Sequence, residues 1–149
     1  MSDAPHSRYV YVTFIRTTPE ALWAALTDPE IMVRYWFGMG QESAWTAGSS
    51  WRMHRANGET TDAGEILEAD PPRRLSIRWR NEFRPELNAE GEALCVYDLE
   101  PVEGAVKLTV THTIDRAPSK FIEAVSGGWP RILSNLKSLL ETGEVVLKG

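Results

Sequence analysis

Cysteine and histidine are scarce in this chain of 149 residues. Cys95 is the single cysteine, so no intrachain disulfide can form, and one lone thiol fits a reducing compartment. The three histidines, His6, His54 and His112, show no HxxxH, HExxH or CxxC spacing. We therefore expect no metal site and no cofactor.

Long apolar runs and a positive net charge are also absent. The longest apolar run, residues 21–26, is too short to cross a bilayer, and the first residues, MSDAPHSRYVYV, lack the apolar core of a signal peptide. The net charge of −5 disfavours nucleic acid and anionic membranes as partners. No phosphate-binding loop or GxSxG elbow occurs. These absences indicate a cytoplasmic protein.

The composition is that of one globular domain, expected over residues 1–149. The apolar fraction is 42% and the charged fraction 25%, and no linker or repeat divides the chain. A domain of this length buries roughly 70% of its unfolded surface. Six tryptophans are many for this length, and such large side chains are expected to line a core, a cavity or an interface.

The predicted element order is one strand, two short helices, six strands and a long helix. Thr18-Pro19-Glu20 and Asp28-Pro29-Glu30 each combine an N-cap residue, a proline at the first helical position and an acid near the positive end of the helix dipole. Residues 83–91, FRPELNAEG, are predicted to form a polar loop. Strands are expected at residues 8–16, 42–47, 50–56, 61–69, 73–82, 92–100 and 104–113.

The region after residue 113 has helical periodicity, with one broad apolar face between residues 122 and 140. Gly127-Gly128 and Pro130 predict a break, with a short helix over 118–126 and the main helix from about Trp129. Two roles for the glycines stay open, namely close packing of the helix on the sheet and a hinge for a gate over a cavity. Together the elements indicate an α+β fold with a seven-stranded antiparallel sheet.

Four segments follow one another along the chain: TTPEALWAALTDPEIMVRYW, GEILEADPPRRLSIRW, YDLEPVEGAVKLTVTHT and GGWPRILSNLKSLLE. Together they resemble bacterial single-domain relatives of the Hsp90 ATPase activator C-terminal domain, within the START-like, or SRPBCC, superfamily. The resemblance implies a helix-grip (START/Bet v 1-like) fold, in which a curved sheet surrounds the long C-terminal helix and the two short helices close one end. It also implies a deep apolar cavity, where members bind lipids, polyketides or other hydrophobic molecules.

Strand parity predicts which side chains face that cavity, because alternate residues of a strand point to the same side. A filled core of the same residues is the alternative, since aromatic residues at this spacing pack cores more often than they form sites. For residues 61–69 the parity is ambiguous. The predicted ligand-binding set is Trp51, Met53, Trp79, Tyr97 and His112 from the strands, with Trp129 and Leu133 from the helix.

His112 is the one histidine on a predicted inward face, and Tyr97 is its expected partner on the neighbouring strand. A general base requires an orienting partner, and a buried structural histidine is the alternative. On the outer face, Arg74, Arg78 and Arg80 are expected to be balanced by acids such as Asp98. A docking patch for an acidic protein partner is the alternative there.

Three functions follow from these features. Binding of a hydrophobic small molecule, lipid- or polyketide-like and without catalysis, requires only the cavity and is favoured. A cyclase- or aromatase-type enzyme would use the same cavity, with His112, Tyr97 or a buried carboxylate of shifted pKa. A cochaperone-like module for an Hsp90-type ATPase would use the outer face. An exposed strand edge or apolar face would support a homodimer, and no catalytic residue is assigned.

Overall fold

The computed structural model describes residues 5–149 as one antiparallel sheet with helices packed against it. In chain order the elements are β1 (Ser7–Ile15), α1 (Pro19–Thr27), α2 (Pro29–Tyr35), β2 (Gly40–Ser43), β3 (Ser50–His54), β4 (Thr60–Asp70), β5 (Arg74–Asn81), α3 (Pro85–Asn88), β6 (Ala93–Val102), β7 (Ala105–Ile114) and α4 (Lys120–Thr142).

The sheet has seven strands in the order β1-β7-β6-β5-β4-β3-β2. Strands β2 to β7 pair with their neighbours along the chain, whereas β1 crosses to pair with β7. The curved sheet surrounds the long helix α4, so the predicted α+β helix-grip fold is confirmed. Both predicted helix starts are confirmed too, because the side chains of Thr18 and Asp28 accept backbone N–H bonds at the beginnings of α1 and α2.

The core lies between the concave face of the sheet and α4. Burial alternates along β7, where Val106, Leu108, Val110 and His112 are buried and the residues between them are half-exposed. The apolar face of α4 meets this surface, as its periodicity predicts. Among the described residues, no helix is long and apolar enough to cross a bilayer.

The predicted break in the C-terminal helix is wrong, because α4 is continuous from Lys120 to Thr142 with Pro130 inside it. Proline costs a helix one hydrogen bond, but the buried face of α4 runs through this point, from Phe121 to Trp129 and Leu136. Burial of that face outweighs the lost bond. The helix start is also fixed, since Ser119 caps it with a hydrogen bond from Ile122 N.

Two further predictions need correction. Residues 83–91 contain the short helix α3 rather than only loop, because Asn81 Oδ1 accepts the backbone N–H groups of Phe83 and Arg84 and turns the chain into Pro85. The strand expected at 42–47 lies at Gly40–Ser43 instead. It ends there because Ser43 Oγ accepts the N–H of Trp45 and starts a turn.

The residues after α4 fold back along the helix. Asn135, only 1% exposed, donates from Nδ2 to the carbonyl of Leu147 and accepts at Oδ1 from the N–H groups of Val146 and Leu147. Ser138 Oγ donates to the carbonyl of Glu144. One buried amide side chain therefore holds the last described segment against α4.

The outer face of the sheet carries matched charges. Arg74 bonds Glu68 and Asp98 at 2.9 and 2.8 Å, as the sequence predicts for Asp98. The neighbouring arginines are paired as well, in the bridges Arg78–Glu65, Arg78–Glu92 and Arg80–Glu82. The arginines of this face therefore form a network of ion pairs with acidic side chains and leave no excess of positive charge.

The outer face of the edge strand β1 is apolar. Val10, Val12 and Phe14 are 40%, 45% and 51% exposed. At the end of β1, the carbonyl of Phe14 accepts a hydrogen bond from Lys137 and the N–H of Arg16 donates to Glu141. Side chains of α4 thus pair with backbone groups at the C-terminal end of β1.

Candidate functional site

A cleft of about 230 Å³ opens between β5, α3 and the first half of α4. Its volume lies below the ~300–1,000 Å³ of sites for drug-sized ligands, so it fits a smaller molecule or part of a larger one. Its polar groups belong to Asp62, Asn81 and Arg84. Its apolar walls include Trp36, Trp79, Leu87, Phe121, Trp129 and Ile132.

Three indole rings form the aromatic wall. The ring centroids of Trp36 and Trp129 are 5.5 Å apart, those of Trp79 and Trp129 are 6.1 Å apart, and those of Trp36 and Trp79 are 6.4 Å apart. The planes are inclined at 39° to 71° rather than stacked. Gly64 lies opposite Trp79 in the β4–β5 register, and a Cβ at this position would collide with the backbone carbonyl of Arg78, so only glycine allows this close approach of the two strands.

Asp62 is the buried carboxylate of the cleft, with 8% of its surface exposed. Its Oδ2 accepts hydrogen bonds from Trp79 Nε1 at 2.8 Å and Asn81 Nδ2 at 3.4 Å. Burial raises the pKa of Asp62, against the opposing effect of these two hydrogen bonds and a third from Thr61, and the negative charge of Glu82 adds to the rise. Asp62 therefore has a proton affinity above that of an ordinary aspartate.

The arginine that lines the cleft, Arg84, is bound to Glu86 at 2.8 Å. On the outer face, Arg80 bonds Glu82 at 2.6 Å. Among the described residues, no salt bridge includes Asp62. Its carboxylate is thus held by neutral donors alone.

His112 lies behind the aromatic wall and is fully buried. Its Nδ1 accepts a hydrogen bond from Trp129 Nε1 at 3.1 Å, which places the ring proton of the neutral imidazole on Nε2. Nε2 has no hydrogen-bond partner among the described residues. Burial lowers the pKa of His112 from 6.5 to about 3, so the ring is neutral at physiological pH.

The predicted pairing of Tyr97 with His112 is wrong. In the β6–β7 register Cys95 lies opposite His112, whereas Tyr97 lies opposite Val110. The indole of Trp129 reaches His112 from α4 instead, and Tyr97 packs edge-on against that indole at 5.9 Å. Strand parity correctly predicted that His112 faces inward. Its hydrogen-bond partner, Trp129, lies on α4, and the strand pattern does not specify which residues of that helix face the sheet.

All seven predicted ligand-binding side chains are buried, but only Trp79 and Trp129 line the cleft. Trp51 packs against Trp79 at 4.6 Å and donates from Nε1 to Gln41 Oε1 at 3.0 Å. Met53, Tyr97 and Leu133 lie in the surrounding hydrophobic core, and His112 is buried beside it. Burial raises the pKa of the thiol of Cys95, which disfavours its action as a nucleophile.

Sequence reasoning missed Asp62 and the residues around it. Parity along 61–69 stayed ambiguous because the inner face of β4 begins with Asp62 and Gly64 before Ile66, and its register with β5 shifts beyond Ile66. One sequence signal could have identified Asp62. A buried indole N–H requires a hydrogen-bond acceptor, and Asp62 lies diagonally opposite Trp79 in the β4–β5 hairpin.

Gly127 and Gly128 are not placed by close packing, which corrects one of the two roles considered for them. No heavy atom beyond their immediate helical surroundings lies within 4 Å of where a Cβ would stand at either glycine. Gly128 lines the cleft, whereas Gly127 is exposed outside it. The missing side chain of Gly128 therefore leaves part of the cleft open.

Glu90 joins the α3 side of the cleft to the start of α4. Its carboxylate accepts from Ser119 Oγ at 2.6 Å and from the N–H groups of Lys120 and Phe121 at 2.8 and 3.2 Å. Burial raises the pKa of Glu90, but the three hydrogen bonds and the positive charge of Arg116 together lower it below its usual value. No cluster of metal-ligating side chains occurs within residues 5–149.

Fold and cleft together define a helix-grip protein with an apolar site between its sheet and its C-terminal helix. Residues 16–141 match the model of the family named Activator of Hsp90 ATPase homolog 1-like protein, and the chain belongs to this family. No curated protein sequence matches the chain.

Solved structures share the fold at low sequence identity. A Mesorhizobium loti protein is 22% identical with a TM-score of 0.77, covering 90% of this chain and 96% of its own. The Aha1 dimer from Colwellia psychrerythraea is 20% identical with a TM-score of 0.75, covering 92% and 98%. DynU16, from the dynemicin biosynthetic locus, is 24% identical with a TM-score of 0.74, covering 93% and 48%.

Proposed function

We propose that this protein binds a hydrophobic small molecule in the cleft between its sheet and α4, without catalysis. The observation that carries the proposal is the cleft itself, with three indoles and a phenylalanine in its walls and few polar groups. Ligand sites typically have such apolar walls with a few placed polar groups. The similarity to DynU16, a protein in the dynemicin biosynthetic locus, supports a ligand of the polyketide-like class.

The other predicted residues have a place in this proposal as the layer behind the cleft. The rings of Trp79, Phe121 and Trp129 all line the cleft, and their centroids lie 5.0 to 6.0 Å from that of His112. A lipid- or polyketide-like molecule larger than the cleft would enter by displacing these rings. It would then meet His112 and Tyr97.

The two glycines provide a matched test with N-phenyl-1-naphthylamine as the apolar probe. We expect Gly128→Ala to weaken probe binding about fivefold or more, because overpacking a filled site costs ~1 kcal/mol or more. Gly127→Ala, outside the cleft, should bind like the wild type. A fluorescence titration in which both variants bind equally, or in which the wild type does not bind, contradicts the proposal.

Asp62 favours a second candidate, an enzyme of the cyclase or aromatase type. A buried carboxylate whose pKa is raised is a proton donor for a bound molecule. If Asp62 acts in this way, molecules extracted from wild-type protein and from Asp62→Asn should differ in mass. Identical extracted molecules would favour binding alone.

Family membership favours a protein partner as a third candidate, an Hsp90-type ATPase or a second copy of this chain. The outer arginines are all neutralised, so the apolar outer face of β1 is the better-suited surface for a second copy. If the arginines nevertheless bind an Hsp90-type protein, a triple Arg74/Arg78/Arg80→Glu variant should lose that interaction and keep probe binding. A variant that loses probe binding instead would contradict the assigned faces.

A further inference from the structure

We propose that the ligand of the cleft carries a positively charged amine, which binds beside the Asp62 carboxylate and against the indoles of Trp36, Trp79 and Trp129. The inference rests on the proposed binding function and adds the chemical class of the ligand. Its starting point is the combination, in one cleft, of an unpaired buried carboxylate and three aromatic rings.

Asp62 has no oppositely charged partner among the described residues. A buried charge is normally paired, because its removal from water is costly. Asp62 is hydrogen-bonded by the neutral groups of Trp79, Asn81 and Thr61. Arg84, the arginine that lines the cleft, is bound to Glu86. A cation in the cleft would supply the missing counter-charge.

The carboxylate of Asp62 has capacity for further hydrogen bonds. An ionised carboxylate offers about four lone-pair sites. Thr61 uses one of them, and the bonds from Trp79 and Asn81 both end on Oδ2. The same two bonds fix the orientation of the group in the cleft wall. Asp62 is therefore positioned and still able to accept the N–H donors of an ammonium group.

The aromatic wall of the cleft is suited to a cation. The face of an indole attracts cations more strongly than any other side-chain ring, out to about 6 Å from the ring centroid. The rings of Trp36, Trp79 and Trp129 are inclined to one another, so indole surfaces meet the cleft from different directions. A cleft of about 230 Å³ places an occupant close to all three.

Three probes of similar size and different charge test the inference, with the full chain at neutral pH. They are 2-phenylethylamine, which is cationic, 2-phenylethanol, which is neutral, and 3-phenylpropionate, which is anionic. The indole N–H signal of Trp79 in a ¹H–¹⁵N spectrum is the readout, because this proton is donated to Asp62. We expect the amine to bind about tenfold or more tightly than the alcohol, and the propionate to bind weakest.

Two matched variants separate charge from shape. Asp62→Asn keeps an oxygen acceptor for Trp79 and removes the charge, so the amine should lose about tenfold in affinity while the alcohol changes by less than about twofold. Asp98→Asn removes the same charge from the outer face, where Asp98 bonds Arg74. It should leave both affinities unchanged.

The possible results distinguish failure of the cationic-ligand proposal from failure of the proposed binding function. Equal binding of amine and alcohol by the wild type, which needs no variant to fold, overturns the cationic ligand and leaves the hydrophobic site standing. An unchanged amine affinity in Asp62→Asn does the same. Failure of all three probes to bind below about 10 mM, the weakest affinity expected for ligands of this size, overturns the proposed binding function itself.

Discussion

Trp79 connects the two buried titratable side chains of the site. Its Nε1 donates to Asp62, and its ring packs 5.1 Å from the imidazole of His112. Burial shifts both pKa values toward the neutral form, upward for the aspartate and downward for the histidine. The site therefore disfavours charge wherever no partner of opposite sign is present.

The pH dependence of stability should report on His112. Between pH 6.5 and about 3 the unfolded histidine binds a proton and the folded one does not. The contribution of neutral His112 to the free energy of unfolding is therefore complete above pH 6.5. Below that pH it decreases by about 1.4 kcal/mol per pH unit. We expect His112→Asn, whose amide oxygen can still accept from Trp129, to flatten this slope in urea unfolding.

The control for this measurement is His6→Asn, a change at an exposed position that leaves His112 intact. It should keep the wild-type slope, which corresponds to a loss of about 2 kcal/mol in unfolding free energy between about pH 6.5 and about pH 5. An equally steep slope in His112→Asn would show that the buried histidine does not carry the effect.

At the scale of elements, α4 determines the shape of the cleft and holds the segment that follows it. Its first half contributes Phe121, Gly128 and Trp129 to the cleft, and its second half presents Asn135 to the C-terminal segment. Ser119 and Glu90 satisfy the backbone N–H groups at its start. The helix is therefore anchored at both ends.

Asn135→Ala should release the segment after α4. Three hydrogen bonds to Val146 and Leu147 are lost, and at ~0.5–1.5 kcal/mol each we expect a loss of about 2–3 kcal/mol in unfolding free energy. Amide hydrogen exchange at Val146 and Leu147 should accelerate. Ser138→Ala removes one exposed bond and should cost less than about 1 kcal/mol, so equal losses in the two variants would contradict this role of Asn135.

Gly127→Ala should stabilise the protein. The glycine is in mid-helix, has no strained φ, and has space for a methyl group, so alanine should add about 0.5–1 kcal/mol. Thermal and urea unfolding measure the change. A destabilised Gly127→Ala variant would instead indicate that the helix bends there in the folded state.

At the scale of the whole molecule, local signals predicted the fold well and the site only in part. Caps, hairpin turns and alternation are short-range, and they correctly placed α1, α2 and six of the seven strands, whereas β2 lies earlier than predicted. The helix break predicted from Gly127-Gly128 and Pro130 is wrong, because burial of the apolar face of α4 outweighs the low helix propensity of these residues. Asp62 and the Trp129–His112 bond depend on how β4, β5 and α4 meet, which is a tertiary property.

Association of two copies should depend on β1. If the apolar outer face of Val10, Val12 and Phe14 is the interface, Val12→Lys should convert a dimer to a monomer in sedimentation experiments, because it buries a charge. Val33→Lys is the matched control, since Val33 on α2 is 40% exposed. A wild type that stays monomeric, or a dimer that survives Val12→Lys, would contradict this assignment.

Native mass spectrometry of the purified protein, followed by denaturing extraction, is the sharpest experiment on the proposal that the cleft binds an apolar ligand. We expect a co-purifying apolar molecule in the wild type, retained by Gly127→Ala and reduced in Gly128→Ala, because only the second alanine enters the cleft. A wild-type protein that carries no molecule and also fails to bind N-phenyl-1-naphthylamine would contradict it. The cleft would then be part of a closed core, and function would have to lie on the outer surface.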